Sequence, residues 1–203
     1  MDIKFKKVDS SNCMDFIDSI CYIHKKAYSK SHLTSSFSLS LLNSYYVSLI
    51  NASKYSFVAV VNNNIEGFVI SGDNFGPEMK IFQRKNFFKI IIFSFSRPLT
   101  FLNKTFYYLS TVFRILSKSK INTENKVKYR LFSIAVLPYT QSSGLGTKMI
   151  SHLEKKLIEK DIYHYGLSVK RSDNRAINFY KRNLFYFEKS VEDNDFFVKK
   201  LEV

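Results

Sequence analysis

The sequence predicts an α/β domain, a mixed sheet with helices on both faces, and three observations carry that prediction. Stretches whose apolar residues recur at every second position alternate with stretches whose apolar residues recur at helical spacing. Their order is strand, two helices, hairpin, strand, helix, strand, helix and two strands, which is that of a layered α/β fold. The 203 residues suffice for one ordinary domain spanning residues 1–203, with room for a substantial insertion, and no second core is visible.

Ile3, Phe5 and Val8 sit near period two and open the chain as a strand. A helix follows from about Ser11 to Tyr28, where Cys13, Phe16, Ile17, Ile20 and Cys21 recur at helical spacing, and a second from about Leu39 to Asn51. Ser56 to Val61 and Ile65 to Ser71 are β-rich runs joined by Asn62-Asn63-Asn64, a turn signal that makes them a hairpin. Leu131 to Leu137 is a strand stopped by Pro138, which cannot donate to a sheet ladder. Beyond a glycine-bearing loop, Leu145, Met149, Ile150, Leu153, Leu157 and Ile158 mark a helix that buries one face. Tyr163 to Val169 reads as a strand, Asp173 to Arg182 as a short helix, and Phe185 to Ser190 and Phe196 to Leu201 as closing strands.

Composition narrows the function classes. A formal net charge of +14 favours acidic partners: a nucleotide cofactor, a phosphorylated sugar, nucleic acid or an anionic membrane. Codon bias toward Lys, Asn, Ile, Phe and Tyr is a second source of that charge. Cys13 and Cys21, the only cysteines, are too few for a disulfide framework and read as reduced core residues. His24, His32, His152 and His164 are scattered, so no metal is expected. The N-terminus lacks the continuous apolar run of a signal peptide, and the longest apolar stretch, Phe87 to Phe95, is interrupted by Lys89 and too short to span a bilayer. A cytoplasmic protein is expected.

The chemistry concentrates where Ile134-Ala135-Val136-Leu137-Pro138 leads into Gln141-Ser142-Ser143-Gly144-Leu145-Gly146-Thr147 and a helix. The first amides of that helix have no intrahelical acceptors and the macrodipole turns its positive end to the loop, so an anion belongs there. Side chains at Gly144 or Gly146 would hold phosphate oxygens away from the amides. Gln141, Gly144 and Gly146 match the hallmark of the GNAT superfamily of N-acetyltransferases, Gln or Arg, two residues, Gly, one residue, Gly or Ala. Leu131 to Val136 is similar to that family's preceding strand, and Arg175-Ala176-Ile177-Asn178-Phe179-Tyr180 to its later helix.

The resemblance implies a mixed, mostly antiparallel central sheet flanked by helices, and acetyl-CoA as acyl donor. Amides of Ser142, Ser143, Gly144, Gly146 and Thr147 would hold the CoA pyrophosphate beside Gln141. The Ile134 to Val136 edge would pair with the pantetheine arm, and a backbone N–H near Val136 would polarise the thioester carbonyl. Tyr180 occupies the general-acid position, where a phenol, protonated at neutral pH, can donate to the departing thiolate. Two positions depart from the family. Asp173 stands where Asn is usual, a good N-cap whose pantetheine contact would pass to Asn174. Leu184 stands where Gly is usual, a strained place for a left-handed turn that Asn183 could take instead. Some protein N-terminal acetyltransferases of the superfamily carry a Glu where this chain has Ser168, so the base is left among Glu66, Asp73, His164 and a water relayed through backbone groups.

Between the third and fourth strands the chain spends about fifty residues, from 73 to 127, on a helical insertion. From Lys80 to Lys120 it holds nine basic residues and no acidic one, interleaved with aromatics. Leu99, Leu102, Phe106, Leu109, Phe113 and Leu116 would give a helix starting near Pro98 an apolar seam. That seam must bury itself against the domain, a second subunit in a homodimer, or the inner membrane surface, met peripherally through residues 80–120. Nucleic acid is not the expected partner. The expected activity is acetyl transfer from acetyl-CoA to a primary amine, an amino sugar, nucleotide- or lipid-linked, in surface-glycan synthesis. The alternatives are a protein N-terminal acetyltransferase of the ribosomal-protein type, or a non-catalytic CoA-fold module that binds membrane or nucleic acid.

Overall fold

The structure, a computed structural model, describes residues 2–29, 32–95, 127–141 and 143–202. The helix expected from Pro98, with its Leu99 to Leu116 seam, lies outside them. In chain order the elements are β1 (Ile3–Val8), α1 (Cys13–Ala27), a 3-10 turn (Leu33–Ser36), α2 (Leu39–Ala52), β2 (Tyr55–Val61) and β3 (Asn64–Gly72). There follow α3 (Gly76–Lys85), α4 (Phe87–Phe95), β4 (Arg130–Val136), a second 3-10 turn (Pro138–Thr140) and α5 (Leu145–Ile158). The chain closes with β5 (His164–Lys170), α6 (Asn174–Arg182), β6 (Tyr186–Val191) and β7 (Asn194–Lys200).

One seven-stranded sheet runs β1-β2-β3-β4-β5-β7-β6. Every pairing is antiparallel except that of β4 with β5. The Asn62-Asn63 turn closes the β2–β3 hairpin with both residues left-handed (φ 49 and 69), the conformation that asparagine tolerates and a two-residue hairpin turn requires. Period two then divides the central strands between two cores. Val58, Val60, Phe68 and Ile70 face α1 and α2, where Cys13, Ile17, Ile20, Cys21 and Leu42 fill the interior. Phe57, Ala59, Val61 and Val69 face α5, against Leu145, Met149, Leu153 and Leu157. Both cysteines are free and buried.

In the sheet β7 rather than β6 lies beside β5. The turn after α6 differs from expectation. Leu184 itself is left-handed at φ 64, while Asn183 stays at φ −93 and uses its side-chain amide to cap the Phe179 carbonyl at 2.8 Å. Leu184 is 75% exposed, so its side chain returns little burial for that conformation. Leu184→Gly should therefore raise unfolding free energy by about 0.5–1 kcal/mol. A rise in the urea midpoint at unchanged slope is the expected reading, and a lowered midpoint would show that the leucine side chain contributes more than its exposure suggests.

Candidate functional site

The strand pair that joins the two halves of the sheet barely pairs. β4 and β5 meet at a single register position, Arg130 against Gly166, with the Gly166 N–H donating to the Tyr129 carbonyl at 3.0 Å. Beyond it they part. On the other edge of β4 the Leu137 N–H donates to Glu66 O at 2.9 Å. Alternation then turns the Ala135 and Ser133 backbones toward β3, and those of Val136 and Ile134 into the gap. A cavity of about 1110 Å³ fills this gap, lined among others by Ile134, Val136, Gln141, Gly144, Gly146, Thr147 and Tyr180.

At one end stands the start of α5. Gly144 is its N-cap at φ 81, with no side-chain cap, and the first bond of the helix runs from the Lys148 N–H to Gly144 O. The amides of Leu145, Gly146 and Thr147 are left without intrahelical acceptors. The two glycines serve different ends. A Cβ at Gly144 would meet open space, so its positive φ is the requirement, whereas a Cβ at Gly146 would come within 3.1 Å of the Phe179 ring of α6. Gly146 thus lets α5 and α6 close on each other, a packing reason that the motif does not reveal.

Ser143 does not belong to the cavity lining, because its amide and hydroxyl both bond Thr140 O, at 3.3 and 2.6 Å. Ser142 lies outside the described residues. Gln141 acts as a strut as well as a wall: its Nε2 donates to Val136 O at 3.4 Å and its Oε1 accepts from Arg175.

α6 supplies the third side. Asp173 caps it, accepting from the Ala176 N–H at 3.0 Å. Asn174 sits exposed in the first helical turn and, unlike Asp173, Ala176, Phe179 and Tyr180, does not line the cavity. The pantetheine contact expected of Asn174 therefore has no geometric support. The Tyr180 ring packs edge-on against Phe179 and Phe185, with centroids at 5.3 and 5.6 Å. Burial first, then the nearby Tyr28 and Asp173, push its phenol above the usual range, so it stays protonated through neutral pH.

The opposite wall holds polar groups that no motif announced. Tyr28 shares a hydrogen bond of 2.8 Å with Ser133 of β4. Behind it runs a buried chain: His32 Nδ1 to Thr34 Oγ1 at 2.8 Å, Thr34 Oγ1 to His24 Nε2 at 3.0 Å, and His24 Nδ1 to Tyr46 OH at 2.6 Å. Burial, then the neighbouring His32 and Lys25, bring the His24 imidazole down to about 4. Burial and Lys170 bring His32 to about 4 against the opposing pull of Asp173. Both rings are neutral at pH 7. The four-residue spacing of His24, Tyr28 and His32 was the available signal.

Of the candidates for a base, Glu66 is buried and unites with Tyr139, which it pushes up to about 12. Asp73 pairs with Lys54 at 2.7 Å, and His164 sits exposed at the start of β5. None of the three lines the cavity, whereas Ser168 does. Among the described residues no helix is long and apolar enough to cross a membrane.

The family model described as acetyltransferase (GNAT) family matches residues 17–184. No curated protein matches the chain by sequence. Among solved structures, the chain is similar to the PaiA N-acetyltransferase of Thermoplasma acidophilum in complex with coenzyme A, at 17% identity and a TM-score of 0.56 over 98% of this chain and 99% of that one. It is also similar to the ribosomal-protein-S18-alanine N-acetyltransferase of Escherichia coli, at 15% identity and 0.53 over 98% and 93%. A third is the polyamine N-acetyltransferase of Drosophila melanogaster, at 12% identity and 0.57 over 98% and 100%.

Proposed function

Because the chain belongs to the GNAT family of acetyltransferases and draws its acetyl group from acetyl-CoA, we propose that the gap between β4 and β5 seats the cofactor for direct transfer to a primary amine. The parting of the two strands beyond Arg130 and Gly166 carries this reading, since it frees a strand edge that an amide-bearing pantetheine arm can pair with. The amides of Leu145, Gly146 and Thr147 would take the pyrophosphate. The neutral amine nitrogen attacks the thioester carbon, the carbonyl oxygen takes up the charge, and the C–S bond breaks as Tyr180 gives its proton to sulfur. Tyr28, Ser133 and His32, on the α1 side of the gap, are the polar groups toward which the amine proton can leave through water.

The acceptor we take to be an amino sugar, nucleotide- or lipid-linked. The charged side chains along the cavity favour a phosphorylated molecule, Arg130, Lys170, Arg175 and Arg182 outnumbering Asp173. Labelled acetyl-CoA offered with amino-sugar nucleotides or with candidate peptides separates this acceptor from a protein N-terminus, and label in the peptides alone would reject the sugar.

Gly146→Val tests the cofactor seat. The branched side chain must displace the Phe179 ring and crowd the first amides of α5, so CoA affinity by calorimetry should fall roughly tenfold or more, the loss of one charge-assisted hydrogen bond or greater. Unchanged affinity would remove the diphosphate from this helix.

A further inference from the structure

Arg130 stands at the point where β4 and β5 separate, and its surroundings do not satisfy it. Both Nη atoms are buried without a hydrogen-bond partner among the described residues. The nearest carboxylate, Glu188 Oε2, is 3.7 Å from Nη2, an ion pair too long for a hydrogen bond and itself left unpartnered. A buried guanidinium with unmet donors is costly. Its Cζ lies 5.6 Å from the centroid of the Phe196 ring, which gives it a face to rest on. A Cβ at position 166 would overlap Nη1, so Gly166 makes the space that the guanidinium occupies.

The side of the sheet follows from period two. Tyr165, Leu167 and Val169 of β5 are buried in the α5 core, so Gly166 and Ser168 look to the opposite face, and Arg130 above Gly166 lies there too. That is the face on which α1 and α2 pack. Arg130, Ser168 and Phe196 line the cavity together with Tyr28, His32 and Thr34, whereas Glu188 does not line it. Arg130 thus lines the space across the sheet from the helices that would hold CoA, while its Nη atoms are closed off against Gly166 and Glu188.

We propose that Arg130 is the specificity-determining anchor for an anionic group, phosphate or carboxylate, on the acceptor amine. The inference rests on the reading of this cavity as the acetyl-transfer site, and it specifies the chemistry by which the acceptor is chosen. Swung from Glu188 into the cavity, a planar fork whose two Nη atoms have no partner among the described residues suits two oxygens of one anion. The anion completes the hydrogen bonding of Arg130, and the amine on the same molecule is held toward the thioester. An uncharged amine would leave the guanidinium as it is and gain nothing from it.

The probe is inorganic phosphate, titrated calorimetrically into protein already saturated with CoA so that the diphosphate seat is filled. Phosphate should bind the wild-type protein, and Arg130→Gln should weaken it roughly tenfold to a hundredfold, the effect of losing hydrogen bonds to a charged group. Arg130→Lys, which keeps the charge and loses the fork, should fall between. CoA affinity should be the same in all three, which also shows that the variants are folded. No phosphate binding to CoA-saturated wild type, or equal binding to Arg130→Gln, would overturn the anchor. Failure of the wild type to bind CoA would instead remove the cofactor assignment beneath it.

Discussion

Tyr180→Phe should slow acetyl transfer by roughly 10²- to 10⁴-fold, the usual contribution of a positioned general acid. CoA affinity should barely move. The substitution removes one hydroxyl from a ring that stays packed between Phe179 and Phe185, so the fold and the cavity wall persist. The burden falls on kcat because the proton is needed only as sulfur departs, and an interaction made only in the transition state lowers kcat and kcat/KM together. The raised phenol extends the prediction to pH: the wild-type rate should not decline through mild alkali from ionisation of this group. Turnover unchanged in the variant would mean that solvent protonates the thiolate and that Tyr180 only packs.

The second large effect is on stability in acid. His24 is buried at 1% exposure and its imidazole is held at about 4, well below the ordinary 6.5. Folded, it carries no proton at pH 5, whereas the unfolded chain binds one. Stability from this group is therefore complete above pH 6.5 and drains away as pH falls toward 4. The loss is on the order of 2–3 kcal/mol, and His32, depressed in the same direction, adds to it. Urea unfolding of the wild type should show its midpoint falling steeply between pH 6.5 and 4. His24→Gln should start lower at pH 7, having lost the Tyr46 bond, and decline less over the same window. Parallel curves for the two proteins would place the acid sensitivity elsewhere, for instance in the carboxylates.

The helices and strands were legible where the apolar period was long and unbroken. α1, α5 and the β2–β3 hairpin follow directly from Cys13 to Cys21, Leu145 to Leu157 and the asparagine turn. The start of α5 was legible too, since Gly144 and Gly146 stand where the strand stopped by Pro138 gives way to a helix. The roles of individual residues in that loop were harder. Ser143 is consumed by Thr140 and Asn174 turns to solvent, and neither outcome is visible in residue type or spacing.

Local sequence decides which face of an element is apolar, because that depends only on period and on neighbours within a turn or two. It therefore determined the apolar faces of the helices and strands, the family motif and the helix that carries Tyr180. It could not decide which strand edges meet. That β7 inserts between β5 and β6, that β4 leaves β5 after one pair, and that His24, Thr34 and Tyr46 join into one chain are settled by contacts between residues far apart in sequence. The same holds for Arg130 over Gly166. A guanidinium and a glycine 36 positions along the chain become one feature only when the sheet brings the two strands together and then lets them part.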